Sequence, residues 1–144
     1  MERMQFIVEA LNSLHEKLPV LLPMHPRTKK KIEEAGLLLK VKTIDPVGYL
    51  DMVQLLDRAK FVVTDSGGLQ KEAFFFKKHC LTLRPQTEWV ELISNGVNQL
   101  VNSLEEFNAG AERLMKENVF PDVNLYGTGN AGEEIVEQIK AFLK

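Results

Sequence analysis

VVTDSGGLQKEA, residues 62–73, runs from an apolar stretch through a small polar turn with two adjacent glycines into helix-forming residues. Phe61-Val-Val63 has the composition of a buried strand, and Gly68 to Phe76 is expected to be helical. The same alternation repeats on either side. Phe6, Ile7, Ala10, Leu11 and Leu14 fall at helical spacing, and Leu18 to Pro23 is a short apolar run edged by prolines. A charged helix is expected from Thr28 to Ala35, stopped by Gly36, then a strand at Val41–Ile44 and a turn at Asp45–Gly48. Tyr49 to Ala59 is expected to be helical, with Leu50, Val53, Leu56 and Met52 on its apolar side. Strands follow at Cys80–Leu83 and Gln99–Val101. Helices are expected at Thr87–Ser94, from Ser103 to about Met115, and from Ala131 to Leu143, the last after a loop at 117–129. Short apolar strands alternating with longer helices imply βα units, a parallel sheet and helices on both of its faces. The fold class is therefore α/β and Rossmann-like.

The chain's 144 residues make one domain, 1–144, and 44% of them are hydrophobic, enough for a sizeable core. A net charge of −2 gives no basic surface for nucleic acid. Cys80 is the single cysteine, so no internal disulfide can form and a reducing, cytoplasmic home is expected. No apolar run approaches the ~20 residues that span a bilayer, so no membrane partner is expected. The chain opens with a helix where a strand usually stands first, which points to a piece of something longer.

In an open parallel sheet, ligands bind beyond the carboxyl ends of the strands. Thr64 to Gly68 lies at such an end. The start of a helix carries unpaired N–H groups and a partial positive charge. Gly67 and Gly68 would let an anion approach those groups, and Ser66 adds a hydroxyl donor. Glu72 lies one turn beyond Gly68 on the same face and suits the hydroxyls of a ribose. Together they fit a nucleoside diphosphate. The plainer alternative is a strand–turn–helix with Asp65 or Ser66 as its N-cap and Glu72 in solvent. Arg84 at the end of the next strand and His25 at the end of the Val20–Met24 strand put polar groups on the same sheet edge.

Five groups of residues appear together: Pro23-Met-His25-Pro, Ile44-Asp-Pro46, Thr64-Asp-Ser-Gly-Gly68 with Gln70 and Glu72, Arg84 with Thr87-Glu88, and Asn124-Leu-Tyr126-Gly127-Thr-Gly129-Asn-Ala131. In this order and spacing they resemble the non-hydrolysing UDP-N-acetylglucosamine 2-epimerases. That family has two Rossmann-like domains of the glycosyltransferase-B type, and the resemblance covers the C-terminal domain only. It implies that Ser66, Gly67 and Gly68 bind the UDP diphosphate, with Arg84 beside them, and that Glu72 binds the ribose. It also implies that His25 faces the diphosphate or the sugar as a catalytic residue, and that Tyr126, Gly127 and Gly129 belong to a loop closing over the nucleotide. The implied reaction removes the C2 proton, expels UDP to leave a glycal, and adds UDP back with a proton on the other face. No cofactor is implied. The partners are a UDP-sugar substrate, a missing N-terminal domain that holds the acid–base carboxylates, and a second subunit in a full-length homodimer. The context is polysaccharide biosynthesis. The isolated domain is then expected to bind UDP weakly and to be inactive. Trp89 stands where many relatives carry arginine, and Met52 where an aromatic is common near the uracil.

Two alternatives stay open: a UDP-sugar glycosyltransferase of the same architecture, and a non-catalytic UDP-sugar-binding module. A hydrolysing epimerase fits the Arg84–Glu91 stretch less well. His79 and Cys80 are adjacent with no further ligand at useful spacing, so no metal site is expected. Arg27 to Lys31 reads as a solvated helix face. Phe74, Phe75 and Phe76 cannot all share one buried stripe. Gly127 to Gly132 matches G-x-G-x-x-G literally, but it follows no clear strand and precedes no acidic residue at the distance a dinucleotide fold needs.

Overall fold

Val8, Ala10, Leu11 and Leu14 form the buried face of α1 (Glu2–His15). In the computed structural model, which describes residues 2–143, strands and helices then alternate. The order is β1 (Leu21–Pro23), α2 (Pro26–Glu34), β2 (Lys42–Ile44), α3 (Tyr49–Arg58), β3 (Val62–Thr64) and α4 (Gly67–Phe75). There follow β4 (Cys80–Thr82), α5 (Val90–Ser94), β5 (Asn98–Leu100), α6 (Leu104–Lys116) and α7 (Ala131–Phe142).

All strand pairs are parallel. β4 lies between β3 and β5, with Val62 opposite Cys80 and Cys80 opposite Asn98. β1 pairs with β2, Leu21 opposite Lys42. The strands thus form a three-stranded and a two-stranded ladder instead of one continuous sheet. Pro19, just before β1, and Pro23, its last residue, have no N–H to donate, which limits its pairing. Packing joins the two ladders: Val20 beside β1 and Phe61 and Val63 at β3 pack on the same apolar cluster.

That cluster contains Ala10 and Leu14 of α1, Leu81 of β4, and Phe107, Ala111 and Leu114 of α6. Leu56 of α3, Val62, Ala73 of α4 and Cys80 form a second cluster. Cys80 and Leu81 are consecutive on a strand, so they point to opposite faces. The β3–β5 sheet therefore carries α1 and α6 on one face and α3 and α4 on the other. Both faces of β4 are dry, and all three of its residues are buried.

Two local expectations change and one holds. Leu50 is 75% exposed, so the buried side of α3 rests on Leu56 with Met52 packed against the second cluster. The helix expected from Thr87 begins at Val90, because residues 84–89 form an irregular, bent strap whose side chains are tied to α4. Phe74 is buried while Phe75 is exposed, as the single stripe of a helix requires. Among the described residues of α7 none is buried.

Candidate functional site

Ser66 is the N-cap of α4, with extended backbone angles of φ −82° and ψ 129°. Its hydroxyl oxygen accepts a long, 3.5 Å bond from Leu69 N–H, and its own N–H donates to Thr64 Oγ1 at 3.0 Å. Thr64 is itself buried at the end of β3, which anchors the turn to the sheet. Gly67 and Gly68 occupy the first two helical positions, where N–H groups lie outside the helical ladder. Ser66 and Gly68 are exposed, and no atom lies within 4 Å of where a Gly68 side chain would begin. The turn thus sits at the sheet rim and opens to solvent. Glu72 follows one turn later, half-buried.

The back of this turn is fastened at two carbonyls. Gln70 is fully buried, and its Nε2 donates to Ser66 O at 3.2 Å. Its Oε1 accepts from the Thr87 hydroxyl at 2.8 Å, and Thr87 Oγ1 in turn accepts from Trp89 N–H at 3.2 Å. The Trp89 indole N–H donates to Gly67 O at 2.8 Å. Through Thr87 and Trp89 the strap 84–89 therefore grips the carbonyl side of the turn.

Arg84 reaches the front. Its Nη1 lies 3.6 Å from the position a Gly67 side chain would take, and 2.9 Å from Glu88 Oε2. Glu88 Oε1 would lie only 2.0 Å from a Cβ on Gly67. The space freed by the missing side chain is therefore filled by a carboxylate of the chain itself. Sequence reasoning expected an anion here and assigned Ser66, Gly67, Gly68 and Arg84 to it; it gave Glu88 no role in the site. The available signal was the four-residue spacing from Arg84, which alone says only that the two side chains can pair.

Tyr126 joins this site through Trp89, whose ring centroid is 6.1 Å away. The tyrosine hydroxyl donates to Glu91 Oε1 at 2.8 Å, and its ring packs edge-on against Phe74 at 5.3 Å. Lys71 Nζ stands 4.7 Å from the Trp89 ring centre and 4.2 Å from that of Tyr126, a cation shared by two aromatic faces. A bond from its own backbone N–H, then the tyrosine hydroxyl and the Lys71 charge, hold the Glu91 carboxyl below its usual range. Burial and the Glu91 carboxylate push the phenol up. Gly127 and Gly129 follow at φ 75° and 88°, left-handed values that glycine adopts without strain. The loop expected to close over a nucleotide thus lies against α4 and α5, its tyrosine hydroxyl bonded to Glu91.

His25 stands after β1, on the two-stranded ladder, and its bonds are local. It is the N-cap of α2, with Nδ1 accepting from Arg27 N–H at 3.2 Å. A neutral ring in that role carries its proton on Nε2, and the residue is exposed. His79 bonds to Val97 O and Val119 O, tying the 117–130 segment to the start of β5. Cys80 is 1% exposed, and burial pushes its thiol up to about 12, against a small lowering by Thr82. Among the described residues no three His, Cys, Asp or Glu side chains gather as a metal-holding group.

The family model for UDP-N-acetylglucosamine 2-epimerase matches residues 1–140. A UDP-2,3-diacetamido-2,3-dideoxy-D-glucuronate 2-epimerase of Pseudomonas aeruginosa is 50% identical over 95% of the chain, which spans 39% of that relative. The solved UDP-N-acetylglucosamine 2-epimerase of Methanocaldococcus jannaschii superposes with a TM-score of 0.85 at 36% identity, covering 97% of this chain and 41% of the other. The same enzyme in complex with UDP-GlcNAc and UDP superposes at 0.81 and 37% identity. The chain thus spans about two-fifths of the length of the relatives it matches.

Proposed function

The chain belongs to the UDP-N-acetylglucosamine 2-epimerase family, and on that footing we propose that it is the UDP-holding part of a UDP-sugar 2-epimerase. The observation that carries the proposal is the solvent-open start of α4. Ser66 caps it, nothing lies within 4 Å of where a Gly68 side chain would begin, and Arg84 stands beside Gly67, paired with Glu88. In this role Ser66, Gly67, Gly68 and Arg84 take the diphosphate and Glu72 the ribose hydroxyls. Tyr126, Gly127 and Gly129 line the nucleotide side, and His25 faces the sugar or the diphosphate from the end of β1 on the other ladder.

The reaction breaks the bond between sugar C1 and the phosphate oxygen as a proton leaves C2. UDP then re-forms that bond while a proton returns to the opposite face of C2. The chain's own contribution is to hold the negative charge that grows on UDP as it departs. A helix start and a guanidinium suit that charge, because both are fixed before the bond breaks. The C2 proton is moved by groups of the other domain, so the chain alone binds UDP weakly and does not epimerise. The whole enzyme is proposed as a cytoplasmic homodimer in polysaccharide biosynthesis, in keeping with a chain whose single cysteine is unpaired.

Calorimetric titration with UDP tests the site. Ser66→Ala and Glu72→Ala should each weaken binding about tenfold, and unchanged affinity in both would remove this turn as the nucleotide site. Turnover by the purified chain would refute its expected inactivity. A C2 epimer as the product of the whole enzyme, instead of UDP released with sugar passed to an acceptor, separates the epimerase from a glycosyltransferase.

A second reading concerns the sugar. The 50% identity to the Pseudomonas enzyme, against 36–37% for the solved UDP-GlcNAc enzyme, favours a substrate with a second acetamido group and a carboxylate. Comparing kcat/KM for UDP-GlcNAc and UDP-2,3-diacetamido-2,3-dideoxy-D-glucuronate on the whole enzyme decides it.

A further inference from the structure

Glu88 lies against the α4 start, at the glycine proposed to meet a phosphate. One carboxylate oxygen lies over Gly67, where a side-chain carbon would be 2.0 Å away, and the other accepts from Arg84 at 2.9 Å. The carboxylate is therefore paired with the guanidinium and lies against the first residue of α4. We propose that Glu88 is a specificity-determining residue: it is an internal anion that occupies the phosphate position and gives way only to a ligand of higher negative charge. This rests on the proposed nucleotide site.

Three observations support displacement as the route. Two anions cannot share this position without strong repulsion, so ligand and Glu88 exclude each other. The inner side of the strap is filled by Gln70, Thr87 and Trp89 in a closed chain of hydrogen bonds, so the carboxylate can leave only outward. The Glu88 side chain is 49% exposed and its partner Arg84 33%, so the pair is weak enough to open. A pyrophosphate brings at least two charges to the groups Glu88 holds with one. Neutral uridine brings none and leaves Glu88 in place.

The test is a titration of the full chain and of Glu88→Gln and Glu88→Ala, followed through the backbone amide signals of Gly67 and Gly68. UDP, inorganic phosphate and uridine are the probes. Both variants should bind UDP and phosphate about five- to tenfold more tightly than the parent chain, with uridine unchanged. The alanine variant guards against a new hydrogen bond from glutamine. If UDP moves these amides but binds the variants equally or less tightly, Glu88 is no competitor and the proposal fails while the nucleotide site stands. A matching gain for uridine also overturns it, since charge would not be the cause. If UDP moves the two amides in none of the three proteins, the nucleotide site and the role of Glu88 fall together.

Discussion

Gly67 shows how one missing side chain can be overdetermined. Its bareness leaves room beside the helix start, and the Glu88 carboxylate fills it. Cys80 is the opposite case, a reactive residue type made inert by its surroundings. Burial pushes its thiol from 9.0 up to about 12. The unfolded thiol ionises first as pH rises, so its contribution to stability is whole below pH 9.0 and is lost between there and about 12. The full span corresponds to about 4 kcal/mol. The phenol of Tyr126 is shifted in the same direction and adds to the loss at the alkaline end. Native chain at pH 8 should therefore resist an aromatic disulfide reagent that labels it rapidly in guanidinium, and Cys80→Ala should flatten the alkaline fall in stability. Prompt labelling of the folded chain would contradict this burial.

Among the elements, the strap 84–89 and β5 depart most from simple periodicity. The helical pattern of Thr87 to Ser94 is interrupted because the Thr87 hydroxyl is bonded to buried Gln70, which keeps Thr87 and Trp89 out of α5. β5 carries Asn98, 4% exposed, with neither amide atom hydrogen-bonded among the described residues. Unpaired buried polar atoms cost about 1–3 kcal/mol, and valine suits a strand better than asparagine. Asn98→Val should raise the free energy of unfolding by about 1–2 kcal/mol in urea titrations at pH 7. A lower urea midpoint than the parent would mean that the amide has a partner the present contacts do not provide.

For the molecule as a whole, two apolar clusters on opposite faces of the β3–β5 sheet supply the core. A third, of Phe74, Leu92 and Val97, lies under the 120–126 segment. α7 adds to none of them. Ile135, Val136 and Ile139 on it are 56%, 48% and 53% exposed. A chain ending at Asn130 should then keep its unfolding free energy within about 0.5 kcal/mol of the full chain. A loss well above that in chemical denaturation would show that α7 packs on this domain in solution.

The sequence by itself determined the alternation of strands and helices, the two-sided burial of the central strand and the polar turn after β3. It also carried the family resemblance, through the motifs around His25, Ser66, Arg84 and Tyr126. These properties follow from local spacing, since side-chain period and capping chemistry act within a few residues. Only the tertiary structure decided which side chains meet at the turn. Thr87 reaches Gln70 across 17 residues, Trp89 reaches Gly67 across 22 and Tyr126 reaches Glu91 across 35. Glu88 over Gly67 is a meeting of the same kind. No periodicity fixes such pairs, because they depend on how separate loops are carried to one end of a sheet by the packing of the helices between them.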